Sequence, residues 1–111
     1  MKFGILVTSG VERRDLHTAT RLARAALDQG HEVKMFVMGD GVHHLVDHQK
    51  NQSAPDLRAL LDSGLEVTCC ALSSELRGLG QDQLLPGVRW GSQYDHAHLV
   101  NWSDRYLAFG P

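Results

Sequence analysis

Two adjacent cysteines carry the most distinctive chemistry in this sequence. Cys69 and Cys70 end the apolar segment 65–70 (LEVTCC), and the segment that starts with Ser73 and Ser74 favours a helix. A thiol at a strand-to-helix junction meets unpaired backbone N–H groups and the positive end of the helix dipole, both of which favour the thiolate. A thiolate can attack sulfane sulfur and hold it as a persulfide. The position therefore makes Cys70 a candidate reactive thiol.

The two cysteines should differ in their surroundings. Successive residues of a strand face opposite sides of a sheet, so we expect one of Cys69 and Cys70 in the core and the other exposed. Adjacent cysteines cannot link distant segments of one chain through a disulfide. Spacing alone favours the alternative that both are small buried hydrophobic residues, which is the usual fate of a free cysteine.

A phosphatase-like loop is a second interpretation of the same junction. Small phosphatases and arsenate reductases also place a cysteine after a strand and an arginine shortly beyond it. Here six residues separate Cys70 from Arg77, which is one more than that loop contains, and seven separate Cys69 from Arg77. The phosphatase loop also follows the first strand of its fold rather than the third. We therefore disfavour phosphate chemistry.

Histidine pairs and a glycine-containing segment suggest two further kinds of site. His44 with His48, and His96 with His98, have spacings that could hold a metal, although exposed loop histidines are the commoner explanation. Segment 39–44 (GDGVHH) lacks the third glycine of a dinucleotide loop and follows the second strand, which argues against a Rossmann site. Structural zinc takes four ligands at finger-like or ribbon-like spacing, which one adjacent pair of cysteines does not supply even with seven histidines in the chain. We expect neither a cofactor nor a metal.

Charged residues after the first strand and four aromatic residues complete the candidates. Arg13 and Arg14, next to Glu12, should lie on the same rim as Cys70, where they could attract an anionic sulfur donor such as thiosulfate. A plain solvated turn is equally compatible with them.

The aromatic residues either complete the core, which is the default, or cover a subunit interface; they are Trp90, Tyr94, Trp102 and Tyr106.

Composition limits the class of protein. The 111 residues, 42% of them hydrophobic and 22% charged, suit one soluble globular domain over residues 1–111. A formal net charge of −2 provides no basic field for polyphosphate, so we expect no direct binding of nucleic acid. The short apolar run at the N-terminus fits neither a signal peptide nor a membrane span. We expect a cytoplasmic protein.

Strand-like and helix-like segments alternate along the chain. Apolar runs closed by glycine or serine are typical of strands buried in a parallel sheet, whereas apolar residues spaced by three and four indicate amphipathic helices. This alternation predicts an α/β fold, a flavodoxin-like three-layer sandwich with a mostly parallel sheet. The predicted strands are 2–8, 32–38, 65–70 and 105–109; the predicted helices begin near residues 14 or 15, 53, 73 and 92.

With these segments in view, nearly the whole chain resembles the DsrE/DsrF-like sulfur-relay family. The weaker matches are Thr8-Ser9-Gly10 after the first strand, the passage 25–33 (AALDQGHEV), the segment 39–42 (GDGV) and Ser103-Asp104-Arg105 before the last strand. The more specific match is a Gly-apolar-x-Val strand that leads to a cysteine and then a helix ending in Arg-Gly, here segment 64–78. Cys70 takes the active position in this comparison.

The resemblance implies a DsrE-like fold and a persulfide carried on Cys70 without a cofactor. It also implies a homotrimer or homohexamer that takes sulfur from one carrier protein and hands it to another. A loop rich in charge, Val11 to Arg14, and the extra Cys69 depart from the family pattern. They leave the donor, the acceptor and the pathway open, and Cys69 is at most an accessory. The alternative is a non-catalytic subunit of the same fold that acts in assembly or small-ligand binding.

Overall fold

A computed structural model describes residues 1–110 and contains a single five-stranded parallel sheet within that range. The strand order is β4-β3-β2-β1-β5, and every neighbouring pair of strands is parallel. The predicted α/β class and parallel sheet are thereby confirmed. The strands are β1 (Lys2–Val7), β2 (Glu32–Val37), β3 (Glu66–Cys70), β4 (Arg89–Gly91) and β5 (Arg105–Phe109).

Four α-helices and two 3₁₀ helices connect the strands. None of the described helices is long and apolar enough to cross a bilayer. The helices are α1 (Asp15–Asp28), α2 (Ala54–Asp62), α3 (Ala71–Leu76) and α4 (Gln93–Trp102), and the 3₁₀ helices are Gly39–Leu45 and Gln81–Gln83. The helix expected from Ser73 in fact begins at Ala71, because Cys70 is its N-cap and its sulfur accepts a hydrogen bond from the Ser73 N–H group.

One face of the sheet holds the main core. Residues paired across parallel strands share a face, and the register places Val37 beside both Val7 and Cys69. Helices α1 and α2 cover this face with Leu16 and Leu57, which are at most 2% exposed. Since β1, β2 and β3 follow one another in one direction across the sheet, right-handed crossovers put both connecting helices on the same side.

The other face is covered more thinly. The chain leaves β4 and returns to the far side of β1, so the crossover through α4 lies on the opposite face. A small second core forms there from Phe36, Cys70 and Leu99, with Trp102 and Tyr106 packed against it. The sheet and the helices on its two faces make three layers, as predicted. Cys70 lies in the smaller core, on the α4 side of the sheet.

The four aromatic residues have separate roles. Trp90 packs against the main core and Trp102 against the small one, in agreement with the default expectation for them. Tyr94 is 82% exposed on the first turn of α4 and is therefore no core residue in this chain. Tyr106 is partly buried, and its hydroxyl group contacts a histidine described below.

Candidate functional site

The carboxyl ends of three adjacent strands meet around Cys70. Cys70 is the last residue of β3, Met38 directly follows β2, and Gln93 begins α4 just after β4. Gly91 allows α4 to start so close to β3, because a Cβ atom there would lie 2.5 Å from Thr68 Cγ2. Ligands and reactive groups collect at this edge of an open parallel sheet. The arrangement makes Cys70 the centre of the candidate site.

The Cys70 side chain is 5% exposed and surrounded by hydrogen-bond donors. The Ser73 N–H group donates to its Sγ at 3.5 Å, and the Gln93 amide lies 3.9 Å from the same sulfur. The Ser73 hydroxyl oxygen accepts a hydrogen bond from the Gly39 N–H group at 2.9 Å, which leaves the hydroxyl hydrogen for the thiol. The expectation that one of the two cysteines is exposed is therefore wrong, since Gln93 and α3 close over Cys70 and Cys69 is fully buried.

These donors act directly on the acidity of the thiol. Burial by itself would raise the pKa of Cys70, but hydrogen bonds from the Ser73 hydroxyl and amide, from Gln93 and from the Leu72 amide outweigh burial and lower that pKa below its ordinary value. A hydrogen bond to the charged form of a group favours that form. The site therefore favours a thiolate through nearby dipoles, without an adjacent cation among the causes.

Cys69 lies on the opposite face of the sheet. Its side chain is fully buried in the main core, as strand alternation predicts for one of the two cysteines. Burial raises the pKa of the Cys69 thiol, against smaller effects of hydrogen bonds with Ser74 and Gly91 that lower it. Cys69 is thus a protonated core residue, and the sheet separates its sulfur from the environment of Cys70.

Hydrogen bonds connect Gln93 to His96, and His96 in turn to Tyr106. His96 Nδ1 lies 2.9 Å from the Gln93 carbonyl oxygen, and His96 Nε2 lies 2.7 Å from the Tyr106 hydroxyl. The imidazole ring stacks on Phe36 with a centroid separation of 5.0 Å and an interplanar angle of 7°. Burial lowers the pKa of His96 and raises that of Tyr106, so both groups favour their neutral forms.

Arg77 is engaged away from the cysteine. Its guanidinium group donates to Asp40 Oδ1 at 2.9 and 3.1 Å and to the Ser73 carbonyl oxygen at 3.0 Å. A phosphatase arginine must instead face an oxyanion held in front of the cysteine. These contacts support the rejection of phosphate chemistry made from spacing and show that Arg77 fastens α3 to the loop after β2.

Arg13 and Arg14 line a separate cavity. This opening of about 560 Å³ lies beside the first turns of α1 and α2, and Cys70 is not among its lining residues. Arg13 also pairs with Asp15 at 3.0 Å. The expectation that these arginines share a rim with Cys70 and draw a donor to it is therefore wrong. Both arginines line this cavity with residues of α1 and α2, whereas Cys70 belongs to the small core on the other face of the sheet.

The histidines do not gather into a metal site. Among residues 1–110 no three side chains of histidine, cysteine, aspartate or glutamate converge. The expectation that the paired histidines are exposed loop residues holds only for His48, because His44 is 2% exposed and both His96 and His98 lie within α4. His44 and His96 each make hydrogen bonds through both ring nitrogens, and His96 also stacks on Phe36.

His44 supplies a pH dependence of stability. Its Nε2 donates to the Ser9 carbonyl oxygen at 3.1 Å, and its Nδ1 lies 3.3 Å from the Ser53 hydroxyl. Burial lowers the pKa of His44 below its ordinary value of 6.5, although hydrogen bonds to backbone groups of Ser9 and Gly10 and the charge of Glu12 act to raise it. The buried imidazole therefore favours its neutral form in the folded protein.

We expect the protein to lose stability as the pH falls below about 6.5, because the unfolded chain then binds a proton at His44 that the folded protein takes up only at lower pH. His44→Gln, whose amide nitrogen can still donate to Ser9, should flatten this slope in urea unfolding measured across pH. His48→Gln is the matched control, since His48 is exposed. An unchanged slope in His44→Gln would assign the acid sensitivity to other groups.

Sequence reasoning identified the cysteine but missed most of its surroundings. Met38, Gln93, His96 and Tyr106 were not assigned to the site, although His96 and Tyr106 were considered for a metal and for the core. One signal was available for Gln93. The segment that begins with Ser92 forms a capping box with Asp95, which marks a helix start immediately after a strand end.

Two curated proteins are similar in sequence to most of this chain. The chain is 36% identical over 100 residues to the uncharacterized protein MK0008 of Methanopyrus kandleri, covering 84% of this chain and 80% of that protein. It is 30% identical over 116 residues to the uncharacterized protein MJ0989 of Methanocaldococcus jannaschii, covering 98% of this chain and all of that protein.

Solved structures show the same fold. The ychN protein from E. coli superposes with a TM-score of 0.90 at 24% identity, covering 98% of this chain and 99% of that one. MTH1491 from Methanobacterium thermoautotrophicum, a protein of unknown function, superposes with a TM-score of 0.78 at 16% identity, covering 96% and 97%. A sequence profile of the DsrE/DsrF-like family matches residues 1–109. The chain therefore belongs to the DsrE/DsrF-like family.

Proposed function

We propose that this protein is a sulfur carrier or sulfurtransferase, in which Cys70 accepts sulfane sulfur as a persulfide and passes it to a partner protein in a sulfur-trafficking pathway. The observation that carries the proposal is the environment of Cys70 Sγ, a thiol near the carboxyl edge of the sheet whose pKa is lowered by hydrogen-bond donors. Membership of the DsrE/DsrF-like family supports sulfur chemistry at that position.

The chemistry needs one nucleophilic sulfur and a donor with a good leaving group. The Cys70 thiolate attacks the outer sulfur of thiosulfate, the new S–S bond forms, and the bond between the two donor sulfurs breaks with release of sulfite. With a persulfidated carrier protein as donor, the carrier's thiolate leaves instead. In the second step an acceptor thiolate attacks the outer sulfur of Cys70 and releases the Cys70 thiolate. Electrons balance in each exchange, so the protein needs no redox cofactor for them.

Mass spectrometry of the intact protein tests this proposal. After incubation with thiosulfate, polysulfide or a persulfidated carrier, we expect the protein to gain the mass of about one sulfur atom, and a reducing thiol should remove it. Cys70→Ser should abolish the adduct. Cys69→Ala should retain it, and alanine is chosen because it leaves no unpaired hydroxyl group in the core.

Two results would reject the proposed function. One is the absence of an adduct with all three donors in the wild-type protein. The other is an adduct that persists in Cys70→Ser, which would place the sulfur on Cys69 or elsewhere.

Partner proteins and self-assembly form part of the same proposal. Three large apolar side chains are strongly exposed on the helices that flank Cys70; they are Leu72 (65%), Leu76 (75%) and Tyr94 (82%). Such residues are frequent at protein interfaces. We propose that this protein forms a homotrimer or homohexamer and that donor and acceptor carrier proteins bind to that assembly. Light scattering measures the oligomeric state.

A second candidate function is favoured by the low exposure of Cys70. A thiol that is 5% exposed can also belong to a non-catalytic subunit, whose surface serves assembly or small-ligand binding. In that case neither thiol reacts in the native oligomer, and both react only on unfolding. Alkylation of the native and the unfolded protein separates the two candidates.

A further inference from the structure

The Gln93 amide has a defined orientation because of the two sulfurs that it faces. Its Nε2 lies 3.9 Å from Cys70 Sγ and 3.6 Å from Met38 Sδ. A thiolate and a thioether only accept hydrogen bonds. The amide therefore presents its NH₂ group to the two sulfurs and its carbonyl oxygen to the opposite side.

His96 meets that carbonyl oxygen from behind. The oxygen carries no hydrogen, so His96 Nδ1, at 2.9 Å, must be the protonated nitrogen. In a neutral imidazole the other nitrogen, Nε2, then accepts, and its partner at 2.7 Å is the Tyr106 hydroxyl. Each group donates to the next in one direction, from Tyr106 through His96 and Gln93 to Cys70.

The reversed chain is less compatible with a thiolate. If His96 carried its proton on Nε2, Nδ1 would accept from the Gln93 NH₂ group and the Gln93 carbonyl oxygen would face the sulfurs. A negative carbonyl dipole against a thiolate is repulsive, whereas an N–H dipole toward it is attractive. The orientation of the amide therefore decides whether Gln93 stabilises the thiolate.

We propose, resting on the function proposed for Cys70, that His96 is a positioning residue that acts on Cys70 through Gln93, with Tyr106 selecting its Nδ1–H tautomer. The ring itself is held in place by Phe36, on which it stacks at a centroid distance of 5.0 Å. His96 touches neither sulfur in this arrangement. Its role is to keep the Gln93 NH₂ group directed at Cys70 Sγ.

Alkylation of Cys70 with iodoacetamide across a range of pH tests the positioning role. We use the full chain carrying Cys69→Ala, so that a single thiol reacts. His96→Phe keeps an aromatic ring on Phe36 but removes both nitrogens. We expect it to raise the pKa of Cys70 and to slow alkylation at neutral pH by about three- to tenfold.

Three further variants separate positioning from a merely structural role. Gln93→Leu should slow alkylation as much as His96→Phe does, and the double variant should be no slower, because His96 acts only through Gln93. His96→Asn, whose side-chain NH₂ group can replace Nδ1–H, should recover most of the rate. His98→Phe is the matched control, because His98 is exposed on the same helix.

An unchanged pH profile in His96→Phe would overturn the proposal, as would a double variant in which the two effects add in full. If His96→Phe fails to fold, as judged by urea unfolding, Tyr106→Phe replaces it and should raise the pKa of Cys70 by a smaller amount; an unchanged pKa there would also overturn the proposal. Alkylation involves no sulfur transfer, so a missing persulfide adduct would reject the proposed function independently of these results.

Discussion

Iodoacetamide at neutral pH should modify Cys70 in the folded protein and leave Cys69 intact. Hydrogen bonds from Ser73 and Gln93 lower the pKa of Cys70, which increases its thiolate fraction at a given pH, and the Gln93 side chain beside the sulfur is itself exposed. Cys69 is fully buried beneath α1 and α2, and burial raises its pKa. Both differences act in the same direction.

The expected rate difference is large because Cys69 can react only when the core opens. Opening of core strands requires a free energy that approaches that of global unfolding, typically about 5–15 kcal/mol. Cys69 should therefore react at least about a thousandfold more slowly than Cys70. Peptide mapping after timed quenching gives the two rates separately.

Unfolding in urea provides the control, since both thiols should then react at similar rates. If both cysteines resist the reagent in the native protein and react only in urea, the non-catalytic subunit is the better description. If Cys69 reacts first, the assignment of the two cysteines to opposite faces of the sheet is wrong.

Phe36→Ala should produce the largest loss of stability among the variants that affect the site. Phe36 is 1% exposed, forms the small core with Cys70 and Leu99, and carries the His96 ring. Removing a buried phenylalanine typically lowers the free energy of unfolding by about 3–5 kcal/mol. The thin cover on this face offers few neighbours that could fill the cavity.

The same variant should raise the pKa of Cys70, because His96 loses the ring that supports it. Leu57→Ala is the matched control. Leu57 is fully buried under the other face, and its truncation should lower the free energy of unfolding by about 2–5 kcal/mol. The pH profile of Cys70 alkylation should stay unchanged in Leu57→Ala. Equal shifts in both variants would show that the thiol responds to overall stability rather than to its own face of the sheet.

The two faces of the sheet divide stability and reactivity between them. The larger core beneath α1 and α2 contains Cys69, whose pKa is raised by burial, whereas the smaller core contains Cys70, whose pKa is lowered by hydrogen bonds. A thinly covered face opens locally at a lower free energy than a thickly covered one. This division suits the sulfur transfer proposed for Cys70, because the face that holds the thiol can open while the rest of the domain stays folded.

Local sequence patterns predicted the strands that are continuous apolar runs and the helices whose apolar residues recur every three or four positions. The apolar runs of β1, β2 and β3 and the spacing of Leu16 and Ala19 in α1 were sufficient, because such patterns bury a strand or one face of a helix in almost any arrangement. The strand β4 was missed, since three residues, Arg89–Gly91, carry no period of their own and are a strand only through pairing with β3.

The errors about side-chain exposure also arose because tertiary contacts, and not the local sequence, decide the burial of a side chain. His44 was expected to be an exposed loop residue because that is the commoner situation for a histidine pair, yet the 3₁₀ helix Gly39–Leu45 turns it inward, where it donates to the Ser9 carbonyl oxygen. Arg13 and Arg14 follow a strand end, as Cys70 does, but the chain carries them to the other side of the sheet. The end of a strand places the next residues at one edge of the sheet. Only the turn that follows decides on which side of the sheet those residues lie.

The sequence by itself determined the α/β class, the parallel sheet, and the position of Cys70 between a strand and a helix, because these depend on residues that are close along the chain. Only the tertiary structure decided that Gln93 contacts that thiol and that His96 and Tyr106 extend the same series of hydrogen bonds. Tyr106 reaches the site because β5 pairs with β1, and Gln93 because β4 pairs with β3. Those pairings bring together residues far apart in sequence, and no local periodicity encodes them.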